Sequence, residues 1–493
     1  MKYKQLTRIK TNFDSLNSIS LETVYPKLNI KDTWREAPCI QIDNIESLNE
    51  LKLPVATAAT TEKQNKYNGI SNAELATFFI NNFTFLVVEG SLYHWNSDKG
   101  IYVLVNIEYA DKFIRQNIPS IYKGKINSSS IKEIIQWIKS DENIEIKQDY
   151  LRNKINLISF SNGIFDIEKI SFAPHNPKYF FTSTINAKYI SNSNTNGEYF
   201  NNFICDITGG NRYLYLRIQE LFGYVISEMR NVKYIPYLLG PKDTGKSIIL
   251  KLFEHLVGPN SYTNLSFEQL NKPEYLSQLL GKKLNTCGEA SEFRLNKLDV
   301  FKKLSGGDYV TARPIYEQPI NFINSAVLLF AGNHLPTING LDKSNAFSQR
   351  IIIFPFNNPI PKSQQDLLLF EKLLKEKEFI VNWAIEGLIR WKNNNYEFTN
   401  YTEIEEMSKA YYEQNNSIDS FIRLHCEIDV SYQIYKFEIE DEYIKYCKQN
   451  DISPENKQVL NNYIKSLPNI SYSRFRDGKG NNKYGYKGIT IKV

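Results

Sequence analysis

The sequence predicts an α/β protein of several domains. A core built on a parallel sheet is preceded by a mixed α+β region and followed by short helices and a Gly-punctuated hairpin. Three observations carry this. In "YLLGPKDTGKSIILKLF" an apolar, strand-like run ends in Gly240, a glycine-bounded loop follows, and an amphipathic run begins at once. Downstream, helical spacing ("NKLDVFKKLSGGD") alternates with a buried strand ("SAVLLFAGN"), the pattern of a parallel sheet with helices on its faces. The end of the chain, "ISYSRFRDGKGNNKYGYKGITIKV", alternates aromatic and basic residues between glycine turns, as a hairpin does.

At 493 residues the chain is long enough for several cores, and 42% hydrophobic with 23% charged residues is ordinary for a soluble protein. No apolar run approaches the ~20 residues that span a bilayer. "MKYKQLTRIKTNFDSLNS" has charge but no apolar stretch of signal-peptide type, so a cytoplasmic protein without membrane contact is expected. The five cysteines (Cys39, Cys205, Cys287, Cys426, Cys447) form no CxxC pair, which argues for inert thiols over zinc or disulfides. Net charge is +5, yet from Ile470 to Val493 six basic residues face Asp477 alone, an excess equal to that of the whole chain. That segment is either a phosphate-contacting surface or a solvated basic tail.

Residues 1–70 are mixed in character and end in a linker-like stretch, "VATAATTEKQNKYNG". Residues 71–205 read as a mixed α+β unit. Ser71 caps a helix with Glu74 in the capping-box position, a small antiparallel meander follows, "SSSIKEIIQWIKSD" is helical, and "SNG" marks a turn. Residues 206–395 carry the parallel-sheet core, entered through the helical "YLYLRIQELFGYVIS". Residues 396–493 give helices and then a basic hairpin, a winged-helix-like order.

The pattern GxxxxGK[ST] works because its glycines let backbone N–H groups converge on phosphate oxygens. The lysine reaches the β- and γ-phosphates and the hydroxyl ligates Mg²⁺. Here Gly240, Pro241, Lys242, Asp243, Thr244, Gly245, Lys246, Ser247 and Ile248 form the predicted site for ATP and Mg²⁺. Hydrolysis also needs a carboxylate near the metal, usually at the end of a neighbouring strand. "KKLNTCGEASEF" offers Glu289 and Glu292, although "LNTCG" is a poor core strand, and the residues alone do not separate a catalytic loop from an acidic surface loop. Asn333 ends the strand "SAVLLFAGN", where an amide can position the attacking water, and Arg350 precedes the strand of "SQRIIIFPF", where an arginine can neutralise transition-state charge.

With "ELFGYVIS", "GPKDTGKS", "LLGKKLNTCGEAS", "FKKLSGGDYVTARPIYEQPINF", "LLFAGNHLP" and "RIIIFPF" in this order, the run from about 206 to 357 resembles the superfamily 3 helicases. These are AAA+ proteins of small viruses, phages and plasmids, and the similarity is to the phage/plasmid group that includes the poxvirus primase-helicase. "SNGIFDIEKISFAPHNPKYF" resembles the cap domain of that group, and among relatives the replication initiators of staphylococcal pathogenicity islands come to the fore. The resemblance implies a hexameric ring that hydrolyses ATP at subunit interfaces and moves 3′→5′ on single-stranded DNA. Lys246 and Ser247 would bind phosphate and Mg²⁺, Glu289 would join the metal and act as the catalytic acid, Asn333 would be the sensor, and Arg350 would act on a neighbour's site. A hairpin at about Asp308 to Phe322, with Lys302 on the helix before it, would grip DNA in the channel. Its tip carries Glu317 where relatives often have a basic residue, which leaves Arg313, Tyr316 or backbone N–H groups. Relatives also often show two arginines where Gln349 and Arg350 stand.

Residues 1–70 are too short for a primase, so a separate primase or other replication proteins are the partners to expect. The basic wing, with Arg474, Arg476, Lys479 and Lys483, would contact duplex origin DNA. Two other readings compete: a DNA-binding initiator in which ATP only switches the oligomer, and an AAA+ remodeller of proteins.

Overall fold

The computed structural model describes residues 71–88, 90–146, 154–191, 197–288, 294–295, 298–314, 318–338, 347–450, 452–476 and 482–492. The expectations for residues 1–70, Glu289, Glu292, Tyr316 and Lys479 fall outside these.

The described chain opens with α1 (Asn72–Asn82). Its capping box is as the sequence predicts: the Ser71 hydroxyl accepts from the Glu74 N–H and the Glu74 carboxylate accepts from the Ser71 N–H at 2.8 Å. The meander follows as β1 (Phe85–Val88), β2 (Ser91–Asn96) and β3 (Ile101–Leu104), and β4 (Glu145–Ile146) joins parallel to β1. Between them lie α2 (Ile107–Asn117) and α3 (Ser128–Lys139). In α3 the isoleucines 131, 134 and 138 recur at helical spacing, and all three are buried in a core shared with α1 and β1.

His94 on β2 is buried in that core, its Nδ1 2.8 Å from the Tyr109 hydroxyl. Burial pushes its pKa down to about 4, against about 6.5 in an unfolded chain. Between these values the unfolded form takes up a proton that the folded form refuses, so stability falls as pH drops. This region should lose about 3 kcal/mol between pH 6.5 and 4, and His94→Phe should flatten the loss. Hydrogen exchange of the α2 and α3 amides across that range measures it.

Strands β5 (Leu157–Phe160), β6 (Gly163–Asp166) and β7 (Ser171–Ala173) form an antiparallel sheet whose first turn is the predicted "SNG". Their buried side chains Ile158, Phe160 and Phe165 belong to the large central core.

That core packs α4 (Glu198–Thr208) and α5 (Arg212–Ile226) on one face of a five-stranded sheet, and a second core around Tyr237, Phe330 and Ile353 covers the other face. In chain order come β8 (Ile235–Leu239), α6 (Lys246–Val257), β9 (Tyr262–Thr263), the single turns α7 (Phe267–Leu270) and α8 (Pro273–Leu276), and β10 (Leu284–Cys287). Then follow β11 (Arg294–Leu295), α9 (Asp299–Gly306), a hairpin of β12 (Tyr309–Ala312) and β13 (Ile320–Ile323), β14 (Val327–Gly332), β15 (Thr337–Ile338) and β16 (Ile351–Pro355). The sheet runs β16-β8-β14-β10-β9, and every neighbouring pair is parallel. All six residues of β14 are buried, the continuous apolar run that a sheet covered on both faces requires.

The strand that reads poorly in sequence, "LNTC", is β10 and is inside the sheet. Its polar residues are tolerated because they are satisfied: the Asn285 amide accepts from the Thr263 hydroxyl and the Leu265 N–H, both at 2.8 Å, and donates to the Leu265 carbonyl at 3.0 Å.

After β16 come α10 (Leu369–Lys375) and α11 (Lys377–Asn393). Helices α5 and α11 meet backbone to backbone, since a Cβ on Gly387 would lie 2.2 Å from the Gln219 carbonyl oxygen. The C-terminal part comprises α12 (Thr402–Asn415), α13 (Ser417–His425), β17 (Cys426–Glu427), β18 (Gln433–Tyr435), α14 (Lys436–Gln449) and α15 (Lys457–Ser466), then β19 (Ser471–Arg476), β20 (Asn482–Lys487) and β21 (Thr490–Ile491). Its antiparallel sheet, ordered β18-β20-β19, and helices α13 to α15 close over a core of their own around Phe421, Tyr443, Leu460 and Tyr486. Among the described residues no helix is long and apolar enough to cross a membrane, and Cys205, Cys287, Cys426 and Cys447 are free thiols.

Candidate nucleotide site

The loop Gly240–Gly245 joins the interior strand β8 to α6, and its shape follows from its glycines. Gly240 lies so close to the end of β16 that a Cβ would stand 2.0 Å from the Phe356 carbonyl oxygen. Gly245 takes φ +87° and packs on α4, where a Cβ would meet Ile207 Cγ2 at 2.6 Å. Asp243 also has positive φ (62°), a conformation its side chain tolerates, and its carbonyl accepts from the Ile360 N–H at 2.7 Å. The loop is thereby fastened at both ends, to α4 and to the segment after β16.

Gly240→Ala should therefore cost about 1–3 kcal/mol of stability, because the clash is with backbone that cannot rotate away. It should also weaken nucleotide binding at least tenfold, which calorimetry on the variant would measure.

Lys246 is the first residue of α6 and is buried. Its ammonium donates to the Gly240 carbonyl at 2.7 Å, to the Pro241 carbonyl and to the Thr244 hydroxyl at 3.2 Å, so the charge sits inside the loop's curve. Burial lowers its pKa, and Asp243 nearby pulls it back up. The N–H groups that open α6 have no acceptor within the helix, and the helix dipole adds partial positive charge at the same point. Backbone donors, an ammonium and the exposed Ser247 hydroxyl thus converge on one place, an arrangement suited to a polyphosphate.

That place opens into a cleft of about 1340 Å³, room for a nucleoside triphosphate. The cleft wall takes in the loop from Lys242 to Ile248, together with Gly288, Asn333 and His334. Asn333 is exposed and follows β14 directly, beside the loop, because the Gly332 carbonyl accepts from the Gly240 N–H at 3.1 Å. Gly288, the residue after β10, stands on the same wall, next along the chain from Glu289.

Arg350 is not in this cleft. It precedes β16, which pairs with β8 from Ile351↔Ile235 to Pro355↔Leu239. The parallel register puts it at the other end of the sheet, roughly 20 Å along the strands from Gly240. Lys302 is half-buried on α9 and Arg313 is exposed just after β12, in the hairpin expected near Asp308 to Phe322. Arg474, Arg476 and Lys483 are exposed on β19 and β20, far in sequence from the cleft.

One wall of the cleft lies outside the sequence motifs. Tyr199, Asn202 and Asp206 of α4 line it, as do Gln364 to Leu367 after β16. The signal was present in α4: Phe200, Phe203, Ile204 and Ile207 are buried, which leaves 199, 202 and 206 on the free face. Burial raises the Asp206 carboxyl above the ordinary range. Among the described residues no cluster of three or more His, Cys, Asp or Glu could hold a metal by itself. A Mg²⁺ carried by a nucleotide needs less, since phosphates and waters supply most of its ligands, and Ser247 is placed to offer one more.

A family model described as "D5 N terminal like" matches residues 65–209, and one described as "Family of unknown function (DUF5906)" matches residues 238–350. Neither reaches half of the chain. Among curated proteins the chain is similar to "Putative helicase 121R" of Invertebrate iridescent virus 3, 22% identical over 348 residues, covering 60% of this chain and 35% of that protein. It is also similar to "Putative helicase L207/L206" of Acanthamoeba polyphaga mimivirus, 25% identical over 290 residues, covering 56% of this chain and 30% of that protein. The chain thus spans about a third of the length of the curated relatives it matches. Among solved structures, two apo forms of the NrS-1 C-terminal region align over 85% of this chain and 100% of theirs. Their identity is 10% and their TM-scores are 0.45 and 0.47, a loose likeness in shape.

Proposed function

We propose that this chain is an ATP-hydrolysing DNA helicase of the superfamily 3, AAA+ type, and the replication initiator of a mobile genetic element. The observation that carries the reading is the glycine-bounded loop on the parallel sheet, with Lys246, Ser247 and Asn333 on one cleft and Arg350 at the sheet's far end. The likeness to viral proteins called helicases agrees with it.

In this reading the loop and Lys246 hold the β- and γ-phosphates, Ser247 ligates Mg²⁺, Glu289 or Glu292 activates water, and Asn333 positions it. When bound, Mg²⁺ neutralises charge that develops on the transferred phosphoryl group. Arg350 cannot reach the phosphates of its own subunit, which supports a ring in which it completes a neighbour's site. Arg313, beside the hairpin of β12 and β13 with Lys302 behind it, would meet single-stranded DNA. The C-terminal helices and basic hairpin would act as a winged helix on duplex origin DNA. Helix α15 exposes Lys457, Gln458, Asn462 and Lys465, side chains able to reach phosphates and base edges.

Mixing tests the shared site. Lys246→Ala and Arg350→Ala should each be inactive alone, whereas mixed rings regain hydrolysis at about a quarter of their interfaces by random assembly. Persistent inactivity of the mixture, with mixed assemblies demonstrated, would place Arg350 outside the reaction.

A further inference from the structure

We propose that the outer end of the C-terminal sheet is a stacking surface for unpaired nucleic-acid bases, centred on Tyr472 and Tyr484. This rests on the reading that the C-terminal part meets DNA, and it assigns that part a single-stranded ligand besides the duplex. Opposed residues in the register share a face, so Ile434, Tyr472, Arg474, Tyr484 and Tyr486 lie on one side of the sheet. The row starts buried, where the Tyr486 hydroxyl donates to Asn461 of α15. It then runs out from under the helix: Tyr472 is 36% and Tyr484 46% exposed.

The two exposed rings are diagonal neighbours and lie nearly parallel, 6° apart with centroids at 5.3 Å. The Arg474 guanidinium, directly across the ladder, lies over the Tyr484 ring at 4.4 Å, and the Lys465 ammonium lies 4.1 Å from the Tyr472 ring centre. The result is a partly exposed group of two rings and a planar guanidinium, and ring and guanidinium surfaces of this kind accept a base without reading its sequence.

Charge points to the same ligand. Arg474 and Arg476 lie on this face, Lys483 and Lys487 on the opposite one, and β18, β19 and β20 carry no carboxylate, so a polyanion would be drawn to the sheet. The opposite face is different. There Phe475 packs over Gly485, where a Cβ would come within 2.4 Å of the ring, and the Tyr435 hydroxyl donates to the Arg476 carbonyl at 3.0 Å. Those rings hold the hairpin together. Tyr472 and Tyr484 also touch each other and their neighbouring cations, but they do so at the solvent-facing end of the row. Phosphates alone call for cations, and stacked, solvent-facing tyrosines between the cations call for bases.

The test is photo-crosslinking of the full chain to a 20-nucleotide DNA carrying 5-iodo-deoxyuridine, single-stranded or annealed, with the modified peptides mapped by mass spectrometry. The expected result is an adduct on Tyr484 or Tyr472 from the single strand and at least fivefold less from the duplex. Tyr484→Leu should lose most of the adduct and weaken single-strand binding at least about fivefold. Tyr484→Phe, which keeps the ring, should retain both, and so separates loss of stacking from loss of fold. Equal adducts from both DNAs, or bound single strand with no adduct on either tyrosine, would overturn the stacking surface. Duplex binding that persists in that case leaves the origin-binding reading standing. An adduct without DNA-stimulated ATP hydrolysis would instead uphold this surface and count against the motor.

Discussion

Replacing Lys246 with Ala should lower ATP turnover at least 100-fold while leaving the melting temperature within a degree or two of wild type. The ammonium is held in the loop by the carbonyls of Gly240 and Pro241, so it is already where β- and γ-phosphate oxygens would come to lie. A preorganised charge in a partly closed site is worth about 3–4 kcal/mol to a transition state that gathers negative charge. Its structural role is small, because the loop is set by Gly240, by Gly245 and by the bond from Ile360 to Asp243. Phosphate release together with thermal melting separates the two effects.

The second large effect lies away from the chemistry. Arg390 of α11 donates from Nε to the Glu220 carboxylate at 2.8 Å, and to the Gln219 side-chain oxygen and the Leu216 carbonyl, each at 2.8 Å. Glu220 is fully buried and also accepts from the Thr399 N–H and hydroxyl, both at 2.6 Å. Arg390→Leu removes the cation and leaves a carboxylate buried without its counter-charge, which costs about 3–5 kcal/mol. Helices α5 and α11 approach backbone to backbone through Gly223 and Gly387, so they have no room to rearrange around the loss. Chemical denaturation should show an earlier midpoint. The double variant Arg390→Leu with Glu220→Leu should recover much of the loss, since an apolar pair of similar volume replaces a matched ion pair at little cost.

Much of this was legible in sequence where local chemistry dictates structure. The box at Ser71 and Glu74, the "SNG" turn and the strand–loop–helix at Tyr237 to Phe253 each depend on residues close in the chain, whereas the hairpin of β12 and β13 is what the family resemblance implies. What escaped was set by distant partners. The strand character of "LNTC" rests on Thr263 and Leu265 donating to the Asn285 amide oxygen, and no periodicity announces that. The α4 wall of the cleft exists because Gly245 packs against Phe203 and Ile207, a contact between segments some 40 residues apart. The Arg390–Glu220 pair joins positions 170 residues apart, and nothing local to either residue marks it. The position of Arg350, remote from Lys246, became visible only through the register of β16 on β8.

A motor whose track is DNA is tested by the steady-state rate of ATP hydrolysis by the full chain with and without single-stranded DNA. The expected result is hydrolysis that rises several-fold on adding the strand and that disappears in Lys246→Ala. Hydrolysis that depends on Lys246 but is indifferent to DNA would contradict the motor, and would turn the cleft into a switch for assembly or for work on protein.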